Sequence, residues 1–294
     1  MEIIQKIKLA FRNGNMINRL IYINVGVFFI CHIIALLLKL FNLPYESVYS
    51  FLALPAYLPS IITQPWSIIS YMFLHEGIWH IFFNMFTLYW FGKLFLMFFS
   101  EKQMLGLYIL GGFFGAAFYI LAYNIFPFFQ PNLVGSTLMG ASASIMAIIV
   151  AAAMHSPNLE MRMMLIGNVK LKYIAIFFVL MSYFSIMSSN AGGEIAHLGG
   201  ALAGYIFIVS LRNGRDFTKW INLVLDSIYN LFKPRKLKVK INKNQSKSKM
   251  SDAEFNMNKA RNMQEIDRIL DKIKTSGYES LTAEDKKRLF DQKK

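Results

Sequence analysis

Long apolar stretches separated by short polar segments make up most of the first 211 residues. A bilayer core of about 30 Å requires around 20 apolar residues per helix, or a few less where the span is short. The pattern therefore predicts an all-α membrane protein, a bundle of six transmembrane helices with a long first outer loop. The six segments are 21–41, 79–99, 104–125, 139–156, 172–189 and 195–211.

Basic residues are distributed unevenly among the connections between these segments. The connections 42–78, 126–138 and 190–194 contain no Lys or Arg, whereas the alternate ones and the segment before residue 20 are basic. Cytoplasmic loops carry the excess of Lys and Arg, so the positive-inside rule places both termini in the cytoplasm. The first outer loop, 42–78, is apolar but broken by four prolines and rich in Tyr and Trp. We expect it to be structured and to lie in the membrane interface.

The pattern changes beyond the sixth segment. Apolar residues recur at helical spacing among polar ones, which predicts an amphipathic helix on the inner leaflet. Eight Lys and Arg residues follow between 233 and 249 with no acidic residue among them, which predicts anionic lipid as a partner. Nucleic acid is the weaker alternative and is not expected, and a solvated linker is the third interpretation. The apolar positions are Phe217, Trp220, Ile221, Val224, Ile228 and Leu231.

Composition agrees with this organisation, since 55% of the residues are hydrophobic and only 16% are charged. Such a chain is too apolar for an ordinary soluble domain. We predict four parts: a cytoplasmic N-terminus (1–20), the membrane domain (21–211), an amphipathic helix with a polybasic linker (212–250) and a small cytoplasmic helical appendage (251–294).

Polar residues of three separate helices fall at one depth of the predicted bundle. The second, fourth and sixth helices all enter from the outside, and each carries polar residues in its first turns. Scattered structural polar groups would not be expected to share a level. These residues are His80 and Asn84 on the second helix, Ser142 on the fourth and His197 on the sixth.

Small residues surround this level. Gly140 precedes the serine, and Gly200 and Gly204 form a small-xxx-small pair after the histidine. Such surfaces let two helix backbones approach closely, as a hydroxyl and an imidazole require in order to meet at roughly 2.6–3.2 Å. Each feature alone has a plainer explanation, because small residues often serve helix packing and a membrane serine often bonds to its own helix.

Together these side chains can perform nucleophilic catalysis without a cofactor, so we predict that the protein uses no cofactor. His197 can take the proton of Ser142, and His80 with Asn84 can donate hydrogen bonds to the oxyanion that forms. We expect no Asp or Glu within a helix at this depth, so the prediction is a Ser–His dyad and not a triad.

Two local motifs suggest other chemistry and are set aside. "GASAS" is similar to the G-x-S-x-G turn of soluble hydrolases, but no strand precedes it. "HEGIWH" has one residue more than the zinc motif H-E-x-x-H, which places His75 and His80 on different faces of a helix. A metal site made of His75, His80 and His197 stays open as an alternative.

Three stretches resemble the rhomboid family of intramembrane serine proteases: "SYMFLHEGIWHIFFNM" at 70–85, "MGASASIM" at 139–146 and "AHLGGALAG" at 196–204. The resemblance implies that Ser142 is the nucleophile, His197 the general base, and His80 and Asn84 the oxyanion-hole partners. It also implies transmembrane substrate proteins, cut near the outer face of a bacterial inner membrane. Two positions depart from the family's pattern, since Ala143 replaces a Gly and Ser67 an Arg.

Two other functions fit a membrane bundle of this kind. A catalytically inactive rhomboid-like protein would bind or escort membrane helices, and loss of Ser142 would leave its role intact. A small-solute transporter is disfavoured, because the chain lacks inverted repeats, paired half-helices and ion ligands at the midplane.

Overall fold

The computed structural model describes residues 5, 9, 11, 13–163, 167–232 and 252–291. The polybasic stretch from 233 to 249 lies outside these residues. Two compact units divide the chain, Met1–Lys233 and Pro234–Lys294.

The first unit is helical, with two short β-ladders. Short 3-10 turns at Tyr71–Phe73, Gln130–Asn132 and Ser185–Met187 complete it. In chain order its elements are α1 (Met16–Leu40), α2 (Ser47–Leu52), β1 (Leu54–Pro55), α3 (Leu58–Thr63), α4 (Ser67–Ser70), α5 (Ile78–Leu96), α6 (Glu101–Ile125), β2 (Thr137–Leu138), α7 (Ser142–His155), β3 (Glu160–Met163), β4 (Gly167–Lys170), α8 (Leu171–Phe184), α9 (Ala191–Arg212) and α10 (Thr218–Phe232).

Helices α1, α5, α6, α7, α8 and α9 correspond to the six predicted segments, and the prediction of an all-α membrane bundle is confirmed. Among the described residues, α1, α6 and α9 are long and apolar enough to cross a membrane. The apolar helices α7 and α8 are shorter. Because α5, α7 and α9 run in the same direction, their first turns lie at one end of the bundle, called here the Ser142 end.

Local capping explains why two helices begin earlier than predicted. Helix α1 begins at Met16 and not at residue 21, because the Asn15 side chain accepts a hydrogen bond from the backbone N–H of Asn18 at 3.1 Å. Helix α6 begins at Glu101 and not at 104, because Ser100 and Gln103 form a capping box. Both arrangements satisfy backbone donors that a helix start leaves without partners.

Two further helix starts differ from prediction at the Ser142 end. Helix α7 begins at Ser142 and not at 139, because Gly140 adopts φ +127°, a conformation that glycine tolerates and an α-helix does not. Helix α9 begins at Ala191 and not at 195. The additional first turn of α9 contains Glu194.

Helix α7 is buried in the bundle between α6 and α9, and glycines let both neighbours approach its backbone. A Cβ atom at Gly200 of α9 would overlap the carbonyl oxygen of Ala143, and one at Gly204 would overlap that of Ala147. On the other side, a Cβ at Gly111 of α6 would lie 2.7 Å from the Ala147 Cβ. These contacts are the close backbone packing that small residues permit in membranes.

The loop between α1 and α5 is structured, as expected from its sequence. Its strand β1 pairs antiparallel with β2, with Leu54 opposite Leu138. The Tyr71 hydroxyl donates to the carbonyl of Gly112 in α6 at 2.6 Å, and the Tyr71 carbonyl accepts from the Gly140 N–H at 2.9 Å. The loop thus joins α6 to the segment that enters α7.

A β-hairpin between α7 and α8 was not expected from the sequence. Strand β3 pairs antiparallel with β4, and Glu160 lies opposite Lys170. This hairpin lies at the end of the bundle opposite to Ser142, where α7 ends and α8 begins.

The second unit contains α11 (Asp252–Ser276), a 3-10 turn at Tyr278–Ser280 and α12 (Ala283–Asp291). Asp285 near the start of α12 accepts hydrogen bonds from the Thr282 N–H at 3.1 Å and from Lys272 at 3.2 Å. Hydrogen bonds with the side chain and backbone of Thr282, and then with Lys272, lower the pKa of Asp285 to about 2.

The close approach of Gly200 in α9 to the backbone of α7 leads to a prediction about stability. Gly200→Ala places a methyl group onto the Ala143 carbonyl, and we expect it to destabilise the bundle by about 1–3 kcal/mol or more, as overpacking does. Gly26→Ala in α1 is the matched control, since a Cβ there meets nothing within 4 Å. Thermal unfolding in detergent measures both. Equal melting temperatures for the two variants would contradict this account of the packing.

Candidate active site

The Ser142 hydroxyl and the His197 imidazole form a hydrogen bond at the Ser142 end of the bundle. Ser142 is the first residue of α7 and His197 lies in the second turn of α9. The distance from Ser142 Oγ to His197 Nε2 is 2.7 Å. Two residues that are 55 positions apart in sequence thus meet at the distance expected of a nucleophile and its general base.

The second imidazole nitrogen of His197 also has partners. Nδ1 lies 3.0 Å from the Ser182 hydroxyl of α8 and 3.2 Å from a carboxylate oxygen of Glu194. We expected no Asp or Glu within a helix at this depth, and this expectation is wrong. Because α9 begins at Ala191, Glu194 lies in its first turn, on the same face as His197 three residues later.

His80 and Asn84, on the first turns of α5, lie close to this pair. The His80 Nε2 faces Gly140, where a Cβ atom would approach it to 2.8 Å. Asn84 is buried and lines the same cavity as Ser142 and His197. Its amide donates one hydrogen bond to the His80 carbonyl at 2.9 Å, and an amide nitrogen carries a second proton.

A cavity of about 340 Å³ opens onto the serine and the histidine. Helices α5, α7, α8 and α9 form its walls, and the residue Ser185 after α8 also lines it. Most of its exposed surface is apolar, and Ser182 and Glu194, which both contact His197, line it together with Ser142 and His197. Concave, mostly apolar sites with a few converging polar groups are typical of binding pockets. Its apolar lining residues are Phe83, Ile145, Met146, Ile149, Phe177, Phe178 and Met181.

Both departures from the family's sequence pattern are accommodated. The Ala143 methyl is buried on the α6 side, where a Cβ at Gly115 would lie 2.6 Å from it, and Ala143 does not line the cavity. Ser67 is buried, and its hydroxyl donates to the Gln64 carbonyl at 2.6 Å. The neighbouring Trp66 indole donates to the Phe51 carbonyl at 2.8 Å.

His75 precedes α5 and is fully buried beside His80, with ring centroids 5.0 Å apart. Burial first, and the neighbouring His80 second, lower the pKa of His75 to about 4, so its imidazole is neutral near pH 7. In the part of the chain that the structure describes, no group of three or more His, Cys, Asp or Glu is arranged to hold a metal ion. The alternative of a metal site made of His75, His80 and His197 therefore has no support in this geometry.

The fold and the site define a helical membrane protein with a serine and a histidine joined at one end of the bundle. Residues 63–214 match the family model of the rhomboid domain, and this chain belongs to the rhomboid family. Residues 250–291 match a family of unknown function, DUF6576.

One similar protein is "RHOMBOID-like protein 12, mitochondrial" from Arabidopsis thaliana, which is 28% identical over 159 residues. The match covers 51% of this chain and 47% of that protein. The chain thus spans about half the length of this relative.

The contact between Ser142 and His197 predicts selective chemical reactivity. A fluorophosphonate needs an attacking alkoxide, so Ser142 should be labelled and the Ser142→Ala and His197→Ala variants should not. Ser144 is the internal control, because its hydroxyl is buried without a hydrogen-bond partner among the described residues. Mass spectrometry locates the adduct. An adduct on Ser144, or undiminished labelling of His197→Ala, would contradict the prediction.

Proposed function

We propose that this chain is an intramembrane serine endopeptidase, which hydrolyses a peptide bond of transmembrane substrate proteins near the outer face of the membrane. The observation that carries the proposal is the 2.7 Å hydrogen bond between Ser142 Oγ and His197 Nε2. A nucleophile within hydrogen-bond reach of a base is the arrangement that covalent hydrolysis requires. Membership of the rhomboid family supports the same reaction.

In the proposed reaction, His197 Nε2 takes the proton of Ser142 while the serine oxygen attacks the substrate carbonyl carbon. The resulting tetrahedral intermediate collapses, the C–N bond breaks, and the protonated His197 gives its proton to the leaving amine. Water then attacks the acyl-serine and loses a proton to His197, which releases the new carboxyl end and restores the hydroxyl of Ser142.

We assign oxyanion stabilisation to His80 and Asn84. Both residues lie near the serine, and each can donate a hydrogen bond to the developing negative charge. The N-terminus of α7 supports the same role, because Ser142 is the first residue of this 14-residue helix. The positive end of the helix dipole favours an anion at this point.

Charge distribution supports a site at the outer face. Lys102, Lys172 and Arg212 belong to the end of the bundle opposite to Ser142, where α6 and α8 begin and α9 ends. By the positive-inside rule this basic end faces the cytoplasm. We therefore propose cytoplasmic termini in a bacterial inner membrane. The substrate helix should contain small or helix-breaking residues near the cut, because a helix hides its carbonyls in its own hydrogen bonds.

Incubation of the purified full chain in detergent with a labelled transmembrane peptide tests the proposal. We expect cleavage by the wild type and none by Ser142→Ala or His197→Ala. Asn84→Ala should lower kcat by about 10²–10³, as loss of one oxyanion donor does. Ser144→Ala, which changes a serine two positions further along α7, is the matched control and should keep its activity.

A folded wild type that binds the peptide without cleaving it, and whose binding survives Ser142→Ala, would favour the catalytically inactive helix-binding protein. Unchanged turnover of a folded Asn84→Ala variant would remove Asn84 from the oxyanion hole.

We also propose that α10 and the basic stretch after it bind anionic lipid at the inner leaflet. The polar side of α10 faces α6, since Lys102 pairs with Asp226 at 2.7 Å and the Lys102 carbonyl accepts from Asn222 at 3.0 Å. Thr218 is fully buried, and a Cβ at Gly106 would lie 2.5 Å from it. Five apolar residues of α10 are exposed: Trp220, Leu223, Val224, Ile228 and Leu231.

Exposure of this apolar face to water would be unfavourable, whereas a membrane interface can bury it. Ile221 does not lie on the exposed apolar face as predicted, because it is only 3% exposed and packs toward the bundle. Each basic residue near an anionic surface adds roughly 1 kcal/mol of attraction.

Hydrogen–deuterium exchange of α10 in nanodiscs tests the lipid proposal. Exchange should be slower in discs that contain phosphatidylglycerol than in discs of phosphatidylcholine alone, and high salt should reduce the difference. Replacement of the basic residues from 233 to 249 by Gln should abolish it. The matched control replaces Lys259, Lys274 and Lys287 of the appendage. Equal exchange in both discs, with RNA binding by the same basic stretch, would favour nucleic acid.

A further inference from the structure

The His197 imidazole has partners on both of its nitrogens. Nε2 bonds to Ser142, while Nδ1 lies 3.2 Å from Glu194 Oε2 and 3.0 Å from Ser182 Oγ. A carboxylate can only accept a hydrogen bond, so the Glu194 contact requires a proton on Nδ1. A neutral imidazole carries one ring proton, and Nε2 is then left with the lone pair that could accept the proton of Ser142.

The Glu194 contact differs from an exposed surface ion pair. The side chains of His197 and Glu194 are 19% and 17% exposed, so solvent screens their interaction only partly. The first turn of α9 also favours a carboxylate, because the helix dipole is positive there. Ser182 is 3% exposed and comes from a different helix, α8, which fixes the imidazole from a second direction.

Other acidic residues near this end of the bundle do not have this arrangement. Glu46 is exposed in the loop after α1, and Glu76 is exposed beside His75. Among the described residues, Glu194 is the acidic residue with a hydrogen bond to His197.

We propose that Glu194, together with Ser182, is a positioning residue that holds His197 as the tautomer protonated on Nδ1, with Nε2 aimed at Ser142. This inference rests on the proposed peptidase function, because it concerns the same histidine. Glu194 does not touch the substrate in this scheme. It fixes the imidazole before reaction and stabilises the imidazolium that forms when Ser142 gives up its proton.

Kinetics of the full chain in detergent provide the first test. Glu194→Gln keeps the shape of the side chain but removes its charge, and we expect kcat to fall roughly tenfold to a hundredfold with KM unchanged, a part of the 10²–10⁴ that a general base contributes. Ser182→Ala should cause a smaller loss, and the two losses should not add, because both residues act on one imidazole. Glu194→Asp, which keeps the charge, should retain more activity than Glu194→Gln.

Two matched controls should leave kcat unchanged. Ser50→Ala alters an exposed serine of α2 that lies outside the cavity, and Glu46→Gln removes an exposed carboxylate. A folded Glu194→Gln variant with wild-type kcat would overturn the proposal, as would a Glu194→Asp variant less active than Glu194→Gln.

A spectroscopic measurement on the wild type does not depend on whether the variants fold. In protein labelled with 15N in its histidine rings, the His197 signals are assigned by their loss in His197→Ala or, if that variant fails to fold, by their change when a fluorophosphonate modifies Ser142. We expect a protonated Nδ1 and an unprotonated Nε2 at neutral pH. The opposite tautomer would overturn the proposal even if the chain is an active peptidase. Absence of cleavage with the expected tautomer would instead reject the proposed function alone.

Discussion

The close contact between helices α7 and α9 is the constraint on which the site depends. A serine side chain is short, so its hydroxyl can lie 2.7 Å from an imidazole on another helix only if the two backbones nearly touch. Gly200 and Gly204 provide that approach, since any larger residue would overlap the carbonyls of Ala143 and Ala147. Lipid offers little hydrophobic drive for helix association, and close packing of this kind supplies much of the attraction. The same glycines therefore stabilise the bundle and align Ser142 with His197.

Hydrogen bonds that satisfy buried polar groups extend this alignment into the loop before α5. A buried hydroxyl without a partner costs roughly 1–3 kcal/mol, and the tyrosines of this region avoid that cost. Tyr108 of α6 donates to the Met72 carbonyl at 2.9 Å, and Tyr71 donates to Gly112 at 2.6 Å. Because the Tyr71 carbonyl also accepts from the Gly140 N–H, the loop fixes the residue at which the chain turns into α7. The orientation of Ser142 is thus set by the loop as well as by α9.

Much of this arrangement could be predicted from sequence, because it follows from chain direction. Once the six helices and their alternation are assigned, Ser142, His197, His80 and Asn84 must lie in the first two turns of their helices, at one end of the bundle. Helix ends were less predictable, since they depend on caps and on the backbone of single residues such as Gly140. Glu194 was missed for this reason: the apolar pattern begins at Ile195, whereas the helix begins at Ala191. The spacing of Glu194 and His197, three residues apart, was the signal that could have found it.

The pairing of β1 with β2 could not be read from the sequence either, because each strand has only two residues and no alternation to detect. Two residues are too few to hold a strand pair by themselves, so the pairing depends on the helices that bring the two segments together. The hairpin between α7 and α8 has a short local signal that was missed, since Met161 alternates with charged neighbours, pairs with Val169 and, like Val169, packs against the core. For β1 and β2 the tertiary structure, not local propensity, determines the strands.

Helix α6 links the proposed catalytic and lipid-binding regions. Its first turns contact α10 through Lys102 and Gly106, and the next turns contact α7 through Gly111 and Gly115. Five residues of helix span about 7.5 Å, so one rigid segment carries both contacts. Helix α10 consequently packs against the helices of the membrane domain, although its sequence predicted an amphipathic helix on the inner leaflet. Removing α10 would expose the surface of α6 around Gly106 and would leave Lys102 without Asp226. A truncation after Phe232 would leave every contact of α6 described here in place.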